Sequence, residues 1–232
     1  MRDLLRQKIQ EAVAALPPRL TRRDVRLPRV AGKAHAVIGV RRCGKTSFLW
    51  QCLAERLASG APREALLLLG LEDDRLAGLQ VEDLAWLVEE HSRLFPALKD
   101  CAVVTYFFDE IQLVPGWERF ARRLADTEGV ELFLSGSSAR MLSREVATSM
   151  RGRALEVLIH PFSFREYLRH LGAEPATPWP RLARTARAGI EHRLGVYLRE
   201  GGFPEAVGAG DRDRDSLLRS YVDVVVLRDV IE

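Results

Sequence analysis

Cysteine is scarce in this chain and poorly arranged for chemistry. Three cysteines (Cys43, Cys52, Cys101) in 232 residues form an odd number at spacings that suit neither a disulfide framework nor a metal cage. They imply a reducing, cytoplasmic setting, with Cys52 and Cys101 buried as small apolar residues. The five histidines (His35, His91, His160, His170, His192) are scattered without ligand spacing, which leaves them structural roles. Long apolar runs are also missing. None approaches the ~18–20 residues of a membrane-spanning helix, so no membrane partner is expected. The longest runs, such as "CAVVTYFF" from Cys101, have the length of a strand. The opening "MRDLLRQKIQEAV" is amphipathic and interrupted by charge, unlike a signal peptide. An excess of one charge is absent too: a formal net charge of +3 is too small to argue for nucleic acid.

Lysine is the rarest of the common charged residues, with four (Lys8, Lys33, Lys45, Lys99) among 35 basic residues. One of the four falls in "GVRRCGKT", residues 39–46, where Gly39, Gly44, Lys45 and Thr46 meet the pattern G-x-x-x-x-G-K-[ST]. The neighbouring sequence supplies the context this pattern needs. "AHAVIG" (Ala34–Gly39) is a β-rich run entering the loop, and "KTSFLWQCLAERLA" leaves it with apolar residues at helical spacing. Strand, glycine loop and helix follow one another.

The alternation continues along the chain. "EALLLLGL" (Glu64–Leu71) reads as a buried parallel strand, "EDLAWLVEEHSRLF" as an amphipathic helix, and "AVVTYFFDE" as a strand ending in acids. "PGWERFARRLAD" starts a helix with proline near its first turn. "VELFLSG" and "ALEVLIH" (Ala154–His160) are further strands. Five strands separated mostly by helices predict an α/β fold, a parallel sheet covered on both faces by right-handed crossovers. From Pro161 the strand signal stops, and "SFREYLRHL", "GIEHRLGVYLREGG" and "RDSLLRSYVDVVVLRDVIE" read as helices. The β-branched "VDVVVL" leaves a strand open as an alternative in the last. The chain stops at Ile231-Glu232 without a cap or breaker, which predicts a following domain.

A glycine turn between strand and helix exposes consecutive backbone N–H groups at the positive end of the helix dipole, a site for the β- and γ-phosphates of ATP or ADP. The candidate binding stretch is Gly39, Val40, Arg41, Arg42, Cys43, Gly44, Lys45, Thr46 and Ser47. Lys45 would reach the phosphates, and Thr46 would place its hydroxyl on Mg²⁺. Such a site also needs an acid on a neighbouring strand. "VVTYFFDE" supplies Asp109 for the metal and Glu110 to polarise water, about 65 residues after the loop, at the carboxyl end of a strand. Ser135, where the next strand closes, is placed to sense the γ-phosphate or position water. A serine turn capping the next helix is the alternative there, and Ser137 the next candidate. Arg151 and Arg153 precede the last strand, where a guanidinium could reach a phosphate in a neighbouring subunit of a homo-oligomer as an arginine finger. Arg41 and Arg42 either pair with acids near Asp73-Asp74 or contact phosphate; spacing does not choose.

Taken in order, "GVRRCGKTSFL", "YFFDEIQ", "LFLSGSSARMLSREVATSMRGRALEV", "PFSFREYL" and "GGFPEAV" resemble a prokaryotic family of predicted AAA+ ATPases, an ATPase domain followed by a C-terminal domain of poorly defined role. The resemblance runs from about Arg22 to the end of the chain. It implies a three-layer P-loop NTPase of the AAA+ type, with a five-stranded parallel sheet of order 5-1-4-3-2 and a C-terminal helical lid. It also implies Walker A roles for Lys45 and Thr46, a Walker B pair in Asp109 and Glu110, and a sensor position for Ser135. Arg151 or Arg153 falls where the family places its arginine finger. "GGFP" is similar to a lid element of signalling ATPases whose proline, here Pro204, packs near adenine, and the Arg22–Pro28 stretch would lie near the base. The implied organisation is a helix and linker over 1–28, an ATPase core over 29–160, a lid over 161–210 and the start of a further domain over 211–232.

Three functions compete: a Mg²⁺-dependent ATPase driving conformational change, a slow-turnover nucleotide switch, and a DNA-associated ATPase. The protein or DNA target is not legible. Glu110 favours hydrolysis, the lid proline favours the switch, and "RLARTAR" (Arg181–Arg187) is the sole candidate basic stripe for DNA. A metabolic kinase lacks a visible acceptor site, and a serine hydrolase fails because "SGSSA" is not the G-x-S-x-G elbow.

Overall fold

The runs "AHAVI", "LLLLG", "VTYFFD" and "VELFLS" offer almost no polar face to water, and each becomes a strand buried on both sides. They are β1 (Ala34–Ile38), β2 (Leu66–Gly70), β3 (Val104–Asp109) and β4 (Val130–Ser135). A fifth strand, β5 (Ala154–Leu158), completes the sheet. Every pairing is parallel and the order is β2-β3-β4-β1-β5, which read from the other edge is the expected 5-1-4-3-2. The computed structural model describes residues 1–28, 30, 32–98, 103–127, 129–136, 150 and 152–225. They divide into two compact units: Met1–Arg19, Val25–Gly39 and Lys45–Leu158 in the first, Leu20–Asp24, Val40–Gly44 and Ile159–Glu232 in the second.

In the first unit the two sheet faces are covered by different helices. Ala36, Leu69, Phe108 and Leu134 share a core with Leu5 and Ile9 of α1 (Arg2–Ala14), Leu84 and Leu87 of α3 (Val81–Leu94) and Phe120 of α4 (Trp117–Ala125). The opening helix therefore packs into the core of the first unit. On the opposite face His35, Phe133 and Phe107 stack in a row, with ring centroids 4.5 and 4.8 Å apart. There α2 (Lys45–Ala58) packs on β2, β3 and β4. Helix, sheet and helix make the three layers of an α/β sandwich. Cys52 is buried on α2, and burial pushes its thiol up to about 12, the inert character expected for a structural cysteine. Cys101 lies outside the described residues.

The second unit is helical: α5 (Phe164–His170), α6 (Arg184–Glu200) and α7 (Asp211–Val225). Phe162, Tyr167 and Leu168 form its small core, with Ile190, Tyr197 and Val207 packed against them. "SFRE" within "PFSFREYL" is a capping box. The Ser163 hydroxyl accepts from the Glu166 N–H at 3.3 Å, and Glu166 Oε2 accepts from the Ser163 N–H at 2.8 Å. "GGFP" also has a local reason. Gly201 ends α6 at φ +78°, and a Cβ on Gly202 would collide with the Phe162 carbonyl. The ambiguous "VDVVVL" is helical as far as α7 extends; its acid-rich first turn suits a helix N-terminus, and residues 226–232 lie outside the described ones. Among the described residues no helix is long and apolar enough to cross a membrane.

Arg56 of α2 forks onto Glu131 of β4 with two hydrogen bonds of 2.7 and 2.5 Å, and His35 Nε2 lies 3.6 Å from the same carboxylate. Burial works against ionisation of Glu131, but the hydrogen bonds from His35 and Arg56 prevail and hold its pKa at about 2. Because the folded value lies below the unfolded one, this contribution is complete above about pH 4.5 and is lost as pH falls toward 2. Glu131→Gln should therefore destabilise by a constant amount from pH 7 to about 5, and the gap to the parent should close below that. Urea unfolding of both chains across this range checks it, and a gap independent of pH would remove the ionic explanation.

Candidate functional site

Parallel strands all end on the same edge of the sheet, and the chemistry-bearing residues stand at those ends. β3 ends at Asp109, and β4 ends at Ser135. Val37, one residue before β1 ends, pairs with Ser135. The Thr46 hydroxyl, in the first turn of α2, donates to Asp109 Oδ2 at 2.6 Å. The Ser135 hydroxyl donates to the other oxygen, Asp109 Oδ1, and accepts from the Glu110 N–H at 3.2 Å. Asp109 is 6% exposed. Burial raises its pKa, against the lowering effect of the Ser135 and Thr46 hydrogen bonds.

Glu110 follows directly, 8% exposed, with its carboxylate accepting from Gln112 Nε2 at 2.5 Å. Its backbone is left-handed, φ 58° and ψ 47°. Among the described residues two non-glycine residues have positive φ, Glu110 and Arg42, and both fall in motifs read from the sequence. Such conformations cost on the order of 1–3 kcal/mol and cluster at functional sites. Lys45 opens α2 and is 5% exposed; its ammonium donates to the Gly39 carbonyl at 3.1 Å, folding back along the loop that it closes.

The middle of the glycine loop, Val40–Gly44, belongs to the second unit and has its own partners there. Gly44 adopts φ +98°, and a Cβ on it would lie 3.1 Å from Arg23 Nη1 and 4.0 Å from Pro204 Cγ. The lid proline thus stands beside the loop. Arg42 forms an ion pair with Glu205 at 2.7 Å and lies over the Tyr221 ring at 5.5 Å, while the Tyr221 hydroxyl donates to the same Glu205 oxygen at 2.6 Å. Arg42 therefore pairs with Glu205 rather than with an acid near Asp73-Asp74, one of the two alternatives that spacing left open. Asp73 is taken by Lys8 at 2.5 Å and Arg75 at 2.8 Å. Arg41 is half-buried and, with Val40, Arg42, Leu198, Phe203 and Tyr221, lines a cavity of about 750 Å³.

A family model described as "AAA domain" matches residues 31–168, more than half of the chain. The chain belongs to this AAA-domain family. It is similar to an uncharacterized protein of Methanocaldococcus jannaschii, 33% identical over 90% of this chain and 44% of the relative. It is also similar to one of Haemophilus influenzae, 29% identical over 84% of this chain and 45% of the relative. The chain thus spans less than half the length of these curated relatives. An AAA domain is a nucleotide-binding fold, and the matched range 31–168 contains the glycine loop, Asp109, Glu110 and Ser135.

Val40, Thr46 and Ser47 are exposed on the loop and first turn. Arg153 pairs with Asp126 at 2.8 Å within this chain, whereas Arg151 and Ser137 lie outside the described residues. Among the described residues no group of three or more His, Cys, Asp or Glu forms a metal cage. A magnesium ion does not require one: it takes one or two carboxylates or hydroxyls, with phosphate and water completing the shell. The contacting Thr46 hydroxyl and buried Asp109 carboxylate fit that donor set, and a cation there would relieve the burial that raises Asp109. Two residues missed in the sequence are Arg23, 3% exposed, and Glu205. Arg23 gave no signal among so many arginines.

The Ser135 side chain bonds both Asp109 and the Glu110 backbone. Ser135→Ala should leave a buried N–H and carboxylate short of a partner and destabilise by about 1–3 kcal/mol, measured by chemical denaturation. Ser135→Thr should retain most of the stability; equal stability of Ser135→Ala and the parent would show that the network carries no energy.

Proposed function

We propose that this AAA domain binds ATP with Mg²⁺ and hydrolyses it, using the cycle between nucleotide states to drive conformational change. The observation that carries this reading is the continuous chain Thr46–Asp109–Ser135–Glu110 at the carboxyl ends of adjacent strands, ending on a backbone-strained Glu110. Loop N–H groups and Lys45 bind the β- and γ-phosphates. Thr46 and Asp109 would hold a magnesium ion, which when bound would supply positive charge to the phosphates. Glu110 takes a proton from the attacking water, and Ser135 keeps it oriented by fixing its backbone. Pro204, close to Gly44 of the loop, would pack near the base, and the helices after Pro161 would serve as the lid. An arginine finger from Arg151 or Arg153 of a second copy completes the site; Arg153 would have to leave Asp126 to reach it.

A second reading, a slow nucleotide switch, is favoured by the Arg42–Glu205–Tyr221 cluster, which ties the phosphate loop to the lid element. Single-turnover hydrolysis over a range of protein concentration separates the two. A rate per subunit that climbs with concentration and falls in Arg151→Ala or Arg153→Ala means shared active sites; a flat rate with retained ADP means the switch. Lys45→Ala should weaken ATP and ADP binding by about 10–100-fold, the loss of charge-assisted bonds. Glu110→Gln should bind normally and hydrolyse about 10²–10⁴-fold more slowly. Normal turnover by Glu110→Gln would remove Glu110 from its role.

A further inference from the structure

Arg23 lies in the arginine-rich connector ahead of β1, where composition alone reads as surface. It is instead 3% exposed, and its guanidinium is directed at three partners. Nε donates to Glu166 Oε1 at 3.0 Å, Nη1 to the Cys43 carbonyl at 2.8 Å, and Nη2 to the His160 carbonyl. Its plane also lies over the Phe162 ring, 4.9 Å from the centroid. Glu166 is held just as firmly: it caps α5 through Ser163 and accepts from the Asp24 N–H at 2.7 Å. Burial opposes its ionisation, but the backbone hydrogen bonds and Arg23 hold its carboxyl below the usual range. A buried, ionised carboxylate thus aims a buried guanidinium at one carbonyl of the phosphate loop.

That carbonyl belongs to the peptide joining Cys43 to Gly44. Among the described residues there are no cis peptides, and in a planar trans peptide the C=O and the following N–H point in opposite directions. With the Cys43 carbonyl bonded to Arg23, the Gly44 N–H must face away from Arg23. Gly44 immediately precedes α2, where backbone donors recognise anions. Its φ of +98° strains any side chain there, and a Cβ would crowd Arg23 Nη1 at 3.1 Å. An arginine suits this role because its fork fixes direction, which the single ammonium of lysine does not.

We infer that Arg23 is a positioning residue for the phosphate loop, held by Glu166 and locking the Cys43–Gly44 peptide so that the Gly44 N–H is presented to a polyphosphate. The inference rests on the nucleotide-binding reading. It assigns the connector a role toward phosphate, in place of the base contact expected from its position ahead of β1.

The test titrates the full chain with MgADP and, separately, with inorganic tripolyphosphate, for the parent, Arg23→Met and Arg23→Lys, alongside thermal unfolding without ligand. Arg23→Lys keeps a cation beside Glu166 and decides the matter if Arg23→Met does not fold. The expected result is a loss of about tenfold or more in affinity, by the same factor for both ligands, in folded Arg23→Lys. Retained affinity in folded Arg23→Lys would overturn the inference while leaving the nucleotide reading intact. A loss for MgADP alone would overturn it too, by placing Arg23 at the base. Failure of the parent to bind either ligand would overturn the nucleotide reading and this inference with it.

Discussion

The Asp109 carboxylate is removed from water at the end of a central strand, and a buried carboxylate must be bonded or neutralised. Here the hydroxyls of Thr46 and Ser135 bond one oxygen each. That requirement draws three separate elements together: the first turn of α2, the end of β3 and the end of β4. Ser135 then reaches one residue further, to the N–H of Glu110, whose backbone is left-handed. The polar network at the head of the sheet follows from satisfying this one group.

The second unit follows the same logic around another carboxylate. Glu166 is buried among donors from Ser163, Asp24 and Arg23, and Arg23 passes that constraint to the Cys43 carbonyl. "SFRE" looks like helix-capping chemistry alone, yet one oxygen of its glutamate serves the cap and the other the connector. Arg42, bonded to Glu205 and stacked near Tyr221, gives the exposed side of the loop a partner as well. The loop is therefore held at the Cys43 carbonyl by Arg23 and at the Arg42 side chain by Glu205.

Much of this was legible beforehand. Continuous apolar runs such as "LLLLG" can be buried only on both faces, so a parallel sheet was readable from them, and the order came with the resemblance. Lys45, Thr46, Asp109 and Glu110 were readable because their spacing to strand ends is local. Arg23, Glu205 and the double duty of Glu166 were not, because the contacts that tie them to the connector and the loop, Arg23–Glu166, Asp24–Glu166 and Arg42–Glu205, each join residues more than a hundred apart in sequence. For Arg42 spacing left acids near Asp73-Asp74 and phosphate both open; its partner Glu205 lies far off in sequence, and Lys8 and Arg75 already hold Asp73.

By itself the sequence determined the α/β alternation, the glycine loop between strand and helix, and the acids that end β3, since each depends on periodicity or on neighbours a few residues apart. Tertiary structure alone decided which buried charge meets which. An arginine in a connector and an arginine on a solvated helix are the same letter, and only the fold's burial of Arg23 against Glu166 and a loop carbonyl tells them apart.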